Sequence, residues 1–375
     1  MSPSEAGEEP RIAVGCMSGT SLDGLDVAVL EIRGRGLGMV PRLVRGVSAS
    51  LGPLGLVLRG IAEQRPMSAG EMALASFELG ELHARAVVEA LGGGRPELVC
   101  VHGQTVFHAP PVSWQMINPW PIVRATGAPV VFDLRGADVS RGGRGAPITP
   151  IADAVWLRGV PGAWAAVNLG GFCNVTVGRG GVVERAGDVS ACNHVLDAVA
   201  RVGMRVPHDE GGRRALASAP DPAIVGLFEG AMEGQRRGGR SLGTGDELAG
   251  VVGEALSSRD PGVVAASACE ALGAVIARAV GGVGVFLAGG GANHAALVGS
   301  ITRRVARAGG AVSMYDEAGL PARWREAACF AVLGALCRDG VAITLPSVTG
   351  VGAPAPLAGV WAYPASDAPR GGAPA

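Results

Sequence analysis

The chain has 375 residues, of which 48% are hydrophobic and 17% charged, and its formal net charge is −1. This length predicts two domains, each large enough to bury a core, and the composition excludes a disordered chain. A net charge near zero excludes broad electrostatic capture of nucleic acid, so we expect no nucleic-acid partner. No uninterrupted apolar run reaches the roughly 20 residues of a membrane-spanning helix, so we expect no membrane partner.

The two ends of the chain and its cysteines indicate in which cellular compartment we expect the protein. Residues 1–10 are acidic and polar, unlike a signal peptide, and we expect both they and residues 366–375 to be disordered. The seven cysteines are scattered, odd in number and form no C-x-x-C pair, so neither a zinc site nor a disulfide framework is predicted. Reduced thiols are typical of a cytoplasmic protein, and we expect that location.

In chain order, the first half of the sequence predicts three strands and then an alternation of helix and strand. Ser68 and Glu71 have the spacing of a capping box, which starts a helix that Gly92 ends. The β-type runs that predict the strands of this half cover residues 11–16, 25–32, 39–46, 97–101 and 129–134.

The second half repeats that order without detectable sequence identity to the first. Its predicted strands cover residues 163–169, 172–177, 182–185 and 283–288. Helices are predicted from about residue 191, over 263–280 and over 293–308. The repeated βββαβαβ plan is typical of an α/β, two-domain, actin-like (ribonuclease-H-like) sugar-kinase fold, which binds its ligands in a central cleft at strand ends.

The same plan gives the expected domain boundaries. We place the first subdomain at residues 11–162 and the second at 163–345. Residues 346–365 are expected to form a C-terminal segment that packs back toward the cleft or the first subdomain.

Three glycine-rich turns follow predicted strands and suit phosphate binding. Glycine lets the backbone approach an anion and turn its N–H groups toward it. The first turn adds hydroxyl groups, and Asp23 or Asp26 could hold Mg²⁺ through water. Each turn by itself also fits an ordinary strand-to-strand or strand-to-helix connection. The predicted nucleotide-binding residues are Gly19, Thr20, Ser21, Leu22, Asp23, Gly24, Leu25, Asp26, Asn168, Gly170, Gly171, Gly289, Gly290, Gly291 and Asn293.

Other polar residues lie near predicted strand ends or helix starts. Asp188 precedes a predicted helix and is a candidate general base, although its neighbour Ser190 also fits a simple helix N-cap. Arg135 is a natural fork for a carboxylate or phosphate group. His102 and Gln104 suit recognition of sugar hydroxyl groups, with a buried core histidine as the alternative for His102.

Together these motifs resemble the anhydro-N-acetylmuramic acid kinase family over nearly the whole chain. One such motif is weak evidence, but the full set in the right order is specific. The matching stretches are residues 19–26, 102–105, 133–135 with Asp138, 143–147, 168–171, 289–291, 326–327 and 346–350.

The resemblance implies a reaction and its residues. Family members open the 1,6-anhydro ring of anhydro-N-acetylmuramic acid with water and phosphorylate O6, using ATP and Mg²⁺, during cell-wall recycling. Asp188 matches the family's catalytic aspartate and would be the base for water attacking C1. Gly145 and Glu326 join His102, Gln104 and Arg135 as expected substrate-binding residues. A homodimer is also implied.

Several segments depart from the family pattern. Residues 242–247, Leu-Gly-Thr-Gly-Asp-Glu, replace Lys-Ser-Thr-Gly-Arg-Glu, which removes two positive charges and adds a negative one. Residues 114–119, 142–145 and 187–193 also differ, and Glu210 replaces a lysine. Two alternatives therefore stay open. One is a divergent paralogue that phosphorylates another small hydroxylated or anhydro metabolite, and the other is an inactive nucleotide- or sugar-binding protein.

Overall fold

A computed structural model describes residues 9–19, 24–239, 242–243 and 245–365 of the chain. The strands are β1 (Arg11–Ser18), β2 (Gly24–Arg33), β3 (Val40–Ser50), β4 (Leu98–Val101), β5 (Gln104–Ala109), β6 (Val112–Met116), β7 (Val130–Phe132), β8 (Ala163–Leu169), β9 (Phe172–Arg179), β10 (Val182–Ala191), β11 (Gly284–Ala288), β12 (Val312–Met314) and β13 (Val360–Ala362). The helices are α1 (Pro53–Ala62), α2 (Ala69–Leu91), α3 (Trp120–Thr126), α4 (Gly136–Val139), α5 (Pro150–Leu157), α6 (Asn193–Val199), α7 (Arg213–Leu216), α8 (Pro222–Gly238), α9 (Ala249–Leu256), α10 (Pro261–Val280), α11 (Ala295–Arg307), α12 (Arg325–Arg338) and α13 (Pro346–Thr349).

The chain divides into two compact units. Among the described residues, the first unit takes those up to Trp156 and those from Glu326 onward. Its main sheet has the order β13-β7-β4-β1-β2-β3. Strands β1, β2 and β3 are antiparallel neighbours, whereas β4 runs parallel to β1 and β7 parallel to β4. Strand β13 adds an antiparallel edge beside β7.

The second unit, Leu157–Arg325, repeats that sheet. Its order is β10-β9-β8-β11-β12, with β8, β9 and β10 antiparallel and β11 and β12 continuing in parallel from β8. Both units therefore carry three antiparallel strands followed by two parallel ones, with helices between the parallel strands. The predicted α/β fold and its duplicated βββαβαβ plan are confirmed.

Helix α12 belongs to the first unit, although we placed it in the second subdomain, which we ended at residue 345. A Cβ atom on Gly15 of β1 would overlap backbone atoms of Ala327 and Ala331. A Cβ on Gly334 would lie 2.6 Å from the Cβ of Cys100 on β4. Two glycines, one on each element, thus allow the helix backbone to lie directly on the sheet. The second unit ends at Arg325 for this reason.

Helix α10 forms the centre of the second unit's core. Fifteen of its residues are buried, and it belongs to the same apolar cluster as Val167 of β8 and Leu287 of β11. Within the described part of the chain it is the one helix long and apolar enough to cross a membrane, but 78% of its most apolar window is buried in the protein. This pattern is typical of a core helix.

Local signals for α2 are confirmed in detail. The Ser68 side chain accepts a hydrogen bond from the Glu71 N–H, and the Glu71 carboxylate accepts one from the Ser68 N–H. The helix ends at Gly92, which has left-handed backbone angles. By contrast, the hairpin of β5 and β6, with its register shift near Val106, was not predicted beyond its first residues.

Candidate active site

Three buried polar side chains lie at or just beyond the carboxyl ends of the neighbouring strands β1 and β4. Strands β1 and β4 are parallel neighbours, and the N–H of His102 donates to the carbonyl of Cys16 at 3.0 Å. Ser18 ends β1, His102 follows β4, and Gln104 begins β5; their exposed fractions are 2%, 3% and 1%. The carboxyl ends of parallel strands are where open α/β sheets bind ligands.

The His102 ring is fixed from two sides. It stacks on Phe330 of α12 with a centroid distance of 4.6 Å and an interplanar angle of 15°. Nη2 of Arg135 lies 3.3 Å from His102 Nε2, and a guanidinium can only donate, so we assign the ring proton to Nδ1. The pKa of His102 lies well below its ordinary value, mainly because the ring is buried. The charge of Arg135, and to a smaller extent that of His108, lowers it further. The ring is neutral at neutral pH.

Each of these three side chains keeps one buried polar atom without a hydrogen-bond partner in the described part of the chain. The atoms are Nδ1 of His102, Oε1 of Gln104 and Oγ of Ser18. An unpaired buried polar atom costs about 1–3 kcal/mol, so such atoms need an explanation. A donor N–H, a carbonyl acceptor and a hydroxyl together suit a hydroxyl-rich ligand. Sequence reasoning did not single out Ser18, and the signal it offered was its place at the end of β1.

Arg135 and Asp138 shape the loop that contains Gly145. The Nη1 atom of Arg135 donates to the carbonyl of Gly145 at 2.7 Å. The buried carboxylate of Asp138 accepts from the Gly145 N–H and from the Thr349 hydroxyl, both at 2.7 Å. Both Arg135 NH₂ groups and the Asp138 carboxylate thus have partners within the protein, on the loop, on His102 and on α13. The role of Arg135 in substrate binding stays a prediction.

Glu326 and Asp133 flank this region. Glu326 lies half-buried in the first turn of α12, one turn before Phe330, which stacks on His102. Asp133 follows β7 with φ 50°, a left-handed conformation that is uncommon outside glycine. Its carboxylate accepts from the Gly136 N–H at 3.1 Å, and burial raises its pKa. Asp133 therefore lies one residue beyond the end of β7, where its carboxylate caps the next turn.

The first glycine-rich turn is described only at its ends. Thr20, Ser21, Leu22 and Asp23 lie outside the described residues. Gly19 is half-buried where β1 ends, and Gly24, Leu25 and Asp26 begin β2. Leu25 is fully buried in the core, so its side chain does not face a ligand. The Asp26 carboxylate accepts a hydrogen bond from the Ser48 hydroxyl.

The second unit brings its two glycine-rich turns together at the ends of β8 and β11. These strands are parallel neighbours, and Ala288 pairs with Asn168. A Cβ on Gly289, which has φ 86°, would lie 2.7 Å from Oδ1 of Asn168, and one on Gly291 would lie 2.7 Å from Oδ1 of Asn193. Gly290 is different. It is exposed, and the nearest atom to its Cβ would be 3.7 Å away.

Asn193, which sequence reasoning noticed only as part of a motif, ties these turns to α6. Its Nδ2 donates to the carbonyl of Leu169 at 3.0 Å, and its N–H donates to the carbonyl of Gly170 at 3.1 Å. The Cys192 N–H donates to Gly171 in the same way at 2.8 Å. Asn293 ends the short turn after β11 and is exposed. Within the two turns, residues 290 and 293 are exposed and Gly170 and Gly171 are half-buried.

Asp188 lies within β10 and not in a turn before a helix. The pairing with β9 shifts register between Asp188 and Ser190, which is a bulge that re-aims side chains. Oδ2 of the half-buried Asp188 accepts from the Leu242 N–H at 2.8 Å. The alternative reading of Ser190 as an N-cap is wrong. Helix α6 begins at Asn193 after Cys192, and the buried Ser190 hydroxyl has no partner in the described residues.

The described residues hold no group of three or more histidine, cysteine, aspartate or glutamate side chains that could bind a metal ion. Mg²⁺ usually takes one or two protein carboxylates and completes its shell with water and phosphate oxygens. The Asp26 carboxylate is a hard oxygen donor of this kind and fits such an ion, while Asp23 lies outside the described residues. For the nucleotide, the open space above Gly290 fits a phosphate or purine close to the backbone.

Comparison with known proteins identifies the family. The family model for anhydro-N-acetylmuramic acid kinase matches residues 11–229 and 254–363. A protein of that name from Streptomyces coelicolor is 34% identical over 357 residues, which cover 90% of each chain. Another, from Methylobacterium nodulans, is 34% identical over 94% of this chain and 100% of its own. The chain belongs to the anhydro-N-acetylmuramic acid kinase family.

Solved structures give more distant similarities. The (R)-2-hydroxyglutaryl-CoA dehydratase component A of Acidaminococcus fermentans is 14% identical, with a TM-score of 0.46, over 88% of this chain and 99% of its own. A ROK family glucokinase from Streptomyces griseus, solved with glucose and AMPPNP, is 14% identical with a TM-score of 0.39, over 86% and 98%.

The loop at 242–247 departs from the anhydro-N-acetylmuramic acid kinase pattern in charge, and its described residues bind its own acidic groups. The Asp246 carboxylate accepts from the Gly243 N–H at 3.0 Å, and the Glu247 carboxylate accepts from the Gly245 N–H at 2.9 Å. Backbone N–H groups thus compensate the charge of Asp246, where the family pattern carries arginine, and that of Glu247, where the family pattern also carries glutamate.

Arg144, which replaces a glutamine of the family pattern, supports the fold of its loop. Its N–H donates to the carbonyl of Thr349 at 2.9 Å, and its Nη2 donates to the carbonyl of Val348 at 2.5 Å. Glu210, in place of a lysine, forms an exposed ion pair with Arg213. These two departures therefore have structural partners in this chain.

Proposed function

We propose that this chain uses ATP and Mg²⁺ to open the 1,6-anhydro ring of anhydro-N-acetylmuramic acid with water and to phosphorylate O6. The product is N-acetylmuramic acid 6-phosphate. The observation that carries the proposal is the set of three buried polar atoms without partners on Ser18, His102 and Gln104. Sugar hydroxyl groups would supply the hydrogen bonds that these atoms lack. The family to which the chain belongs is named for its action on such a sugar.

In this proposal Asp188 is the general base. The Leu242 N–H donates to its Oδ2, and a hydrogen bond to a carboxylate favours the charged form that accepts a proton. Asp188 would take a proton from the water that attacks C1, and the C1–O6 bond breaks as the new C1–O bond forms. The released O6 takes the γ-phosphoryl group as it departs. Positioning supplies most of the rate in such a transfer.

The geometry of the second unit's glycine-rich turns supports a nucleotide position there. Gly290 would lie against ATP, while Asn168 and Asn193 pack beside the neighbouring Gly289 and Gly291. Asp26, with Asp23, would hold Mg²⁺ through water. When bound, this ion neutralises charge on the phosphate oxygens.

The wider setting is also a proposal. A reaction of this kind serves peptidoglycan recycling, and the seven buried free thiols are consistent with a cytoplasmic location. The family resemblance implies a homodimer, which sedimentation equilibrium of the purified chain tests directly. A single species with the mass of one chain, 37.6 kDa, would contradict the dimer.

The deciding experiment incubates the purified protein with ATP, Mg²⁺ and anhydro-N-acetylmuramic acid. Mass spectrometry should detect a product heavier than the sugar by phosphate plus water. The product should vanish in Asp188→Asn, while binding of an ATP analogue persists. Glu184→Gln is the matched control, because Glu184 is an exposed acid on the same strand. A product that survives Asp188→Asn would show that another group is the base.

One observation favours a second candidate. The loop beside Asp188 has Leu242 and Asp246 where the family pattern has lysine and arginine. A divergent kinase for another small hydroxylated or anhydro metabolite would bind ATP yet give no product with this sugar. A screen of anhydro sugars would then identify its substrate. If the protein bound no ATP either, the inactive binding protein would be the better description.

A further inference from the structure

Gln235 of α8 belongs to none of the motifs above, yet its side chain connects the two segments around Asp188. Oε1 accepts from the Ala191 N–H at 3.0 Å, and Nε2 donates to the carbonyl of Asp246 at 2.6 Å. The amide oxygen of Gln235 therefore faces a donor, and its amide nitrogen faces an acceptor. This complementarity fixes the orientation of the amide, because a flipped group would make neither bond.

The first tie holds the end of the strand that carries Asp188. Ala191 is the last residue of β10 and lies just past the bulge that follows Asp188. Pairing with β9 resumes beyond the bulge at Ser190 and Ala191. Gln235 adds a bond to this strand end from a helix outside the sheet.

The second tie holds the loop that contacts Asp188. Asp246 closes a tight turn, since its N–H donates to the Gly243 carbonyl and its carboxylate accepts from the Gly243 N–H, both at 3.0 Å. Leu242 precedes this turn and donates its N–H to Asp188 at 2.8 Å. Gln235 thus reaches Asp188 from both sides, through the strand and through the loop.

We propose that Gln235 is a positioning residue, which holds the Asp188 carboxylate in place and keeps the Leu242 N–H on it. The catalytic part of this inference rests on the proposed function. Without Gln235, Asp188 would lose both its fixed direction and a bond that favours its charged form. The chemistry would slow, but ATP and sugar binding would not weaken.

Hydrogen exchange tests the two ties without any assay of activity. In Gln235→Leu, peptides containing Ala191 and Leu242 should both exchange at least about tenfold faster. In Gln235→Glu, the carboxylate still accepts from Ala191 but cannot donate to Asp246, so only the Leu242 peptide should change. Arg236→Gln is the control, because Arg236 lies next on α8 and pairs with Glu233. Unchanged exchange in Gln235→Leu would overturn the proposal.

Kinetics then test the consequence for Asp188. Gln235→Leu should lower kcat about 10- to 100-fold with KM unchanged, which is the scale expected of a misplaced group. The acidic limb of its kcat profile should move to higher pH, because the carboxylate loses a bond that favours its charged form. A rise in KM alone, or an unmoved limb, would overturn the proposal. If the wild type makes no product, the proposed function and the catalytic part fail together, and exchange still decides the ties.

Discussion

Gly290 and Gly291 are neighbours in one turn, but the structure gives them different reasons to be glycine. A Cβ on Gly291 would lie within 2.7 Å of Asn193 and 2.8 Å of Leu169, so that residue is glycine for packing. Gly290 has open space beside it, with no atom nearer than 3.7 Å to its Cβ. The space that a side chain would occupy at Gly290 is therefore available for a ligand.

Gly290→Ala should weaken binding of a non-hydrolysable ATP analogue by about tenfold, equivalent to about 1.4 kcal/mol, and leave the melting temperature unchanged. The added methyl group meets solvent in the free protein and the nucleotide in the complex. Titration calorimetry and thermal unfolding measure the two effects. Gly291→Ala is the control, and it should lower the unfolding free energy by about 1–3 kcal/mol. Unaltered affinity in Gly290→Ala would place the phosphates elsewhere.

At the scale of elements, α12 and α13 decide how the first unit holds its site. Helix α12 carries Phe330 against His102 and reaches that place because Gly15 lets its backbone touch β1. Helix α13 supplies the Thr349 hydroxyl to Asp138, which in turn holds the Gly145 loop. Both helices lie more than 180 residues after the elements they support, so only the folded chain forms these contacts.

Gly15→Ala should lower the unfolding free energy by about 3 kcal/mol, because a methyl group at that position overlaps the backbone of α12. Gly226→Ala is the matched control. Gly226 is exposed within α8 and has nothing within 4 Å of its Cβ, so the substitution should add about 0.5–1 kcal/mol through helix propensity. Chemical denaturation measures both. Equal stability of wild type and Gly15→Ala would mean that α12 does not rest on β1.

Thr349→Val should lower the unfolding free energy by about 1–3 kcal/mol, since it removes a hydrogen bond to the buried Asp138 side chain and keeps the side-chain shape. Thr302→Val is the control, because Thr302 is exposed on α11 and donates only to its own helix. Its effect should stay within about 0.5 kcal/mol. A similar small effect in Thr349→Val would show that α13 does not anchor the Gly145 loop.

At the scale of the whole molecule, buried histidines link stability to pH. Burial lowers the pKa of His83 to about 4 from its ordinary 6.5, and the pKa of His102 is also lowered well below that value. Between pH 4 and 6.5 the unfolded chain therefore binds more protons than the folded one. Linkage then requires that the unfolding free energy rise with pH across this window and that acidification lower it.

The unfolding free energy should accordingly fall as pH decreases from 6.5 to 4, with up to roughly 3 kcal/mol from His83 alone. His83→Gln should make the dependence shallower in this window, because glutamine can donate to the Leu79 carbonyl as the ring does and does not titrate. Chemical denaturation at a series of pH values measures the slope of the unfolding free energy against pH. An identical slope in wild type and His83→Gln would contradict a neutral buried His83.

Local sequence signals determined many of the helices and strands of this protein and the order in which they follow one another. The capping box at Ser68, the left-handed end of α2 at Gly92 and the strand β8 follow from turn chemistry and side-chain period, which act between near neighbours. The order of these elements was enough to predict a duplicated sheet. The eight motifs in order were enough to indicate the family, and the comparisons confirm it.

Only the tertiary structure decided which groups these elements bring together. The sequence places Asp188 near a helix, but the fold sets it beside a strand bulge with Leu242 and Gln235 nearby. It likewise directs Arg135 to Gly145 and His102, and moves α12 to the first unit. These outcomes depend on contacts between residues far apart in the chain. No local sequence pattern predicts these contacts, because each contact forms where two elements with unrelated sequences approach closely.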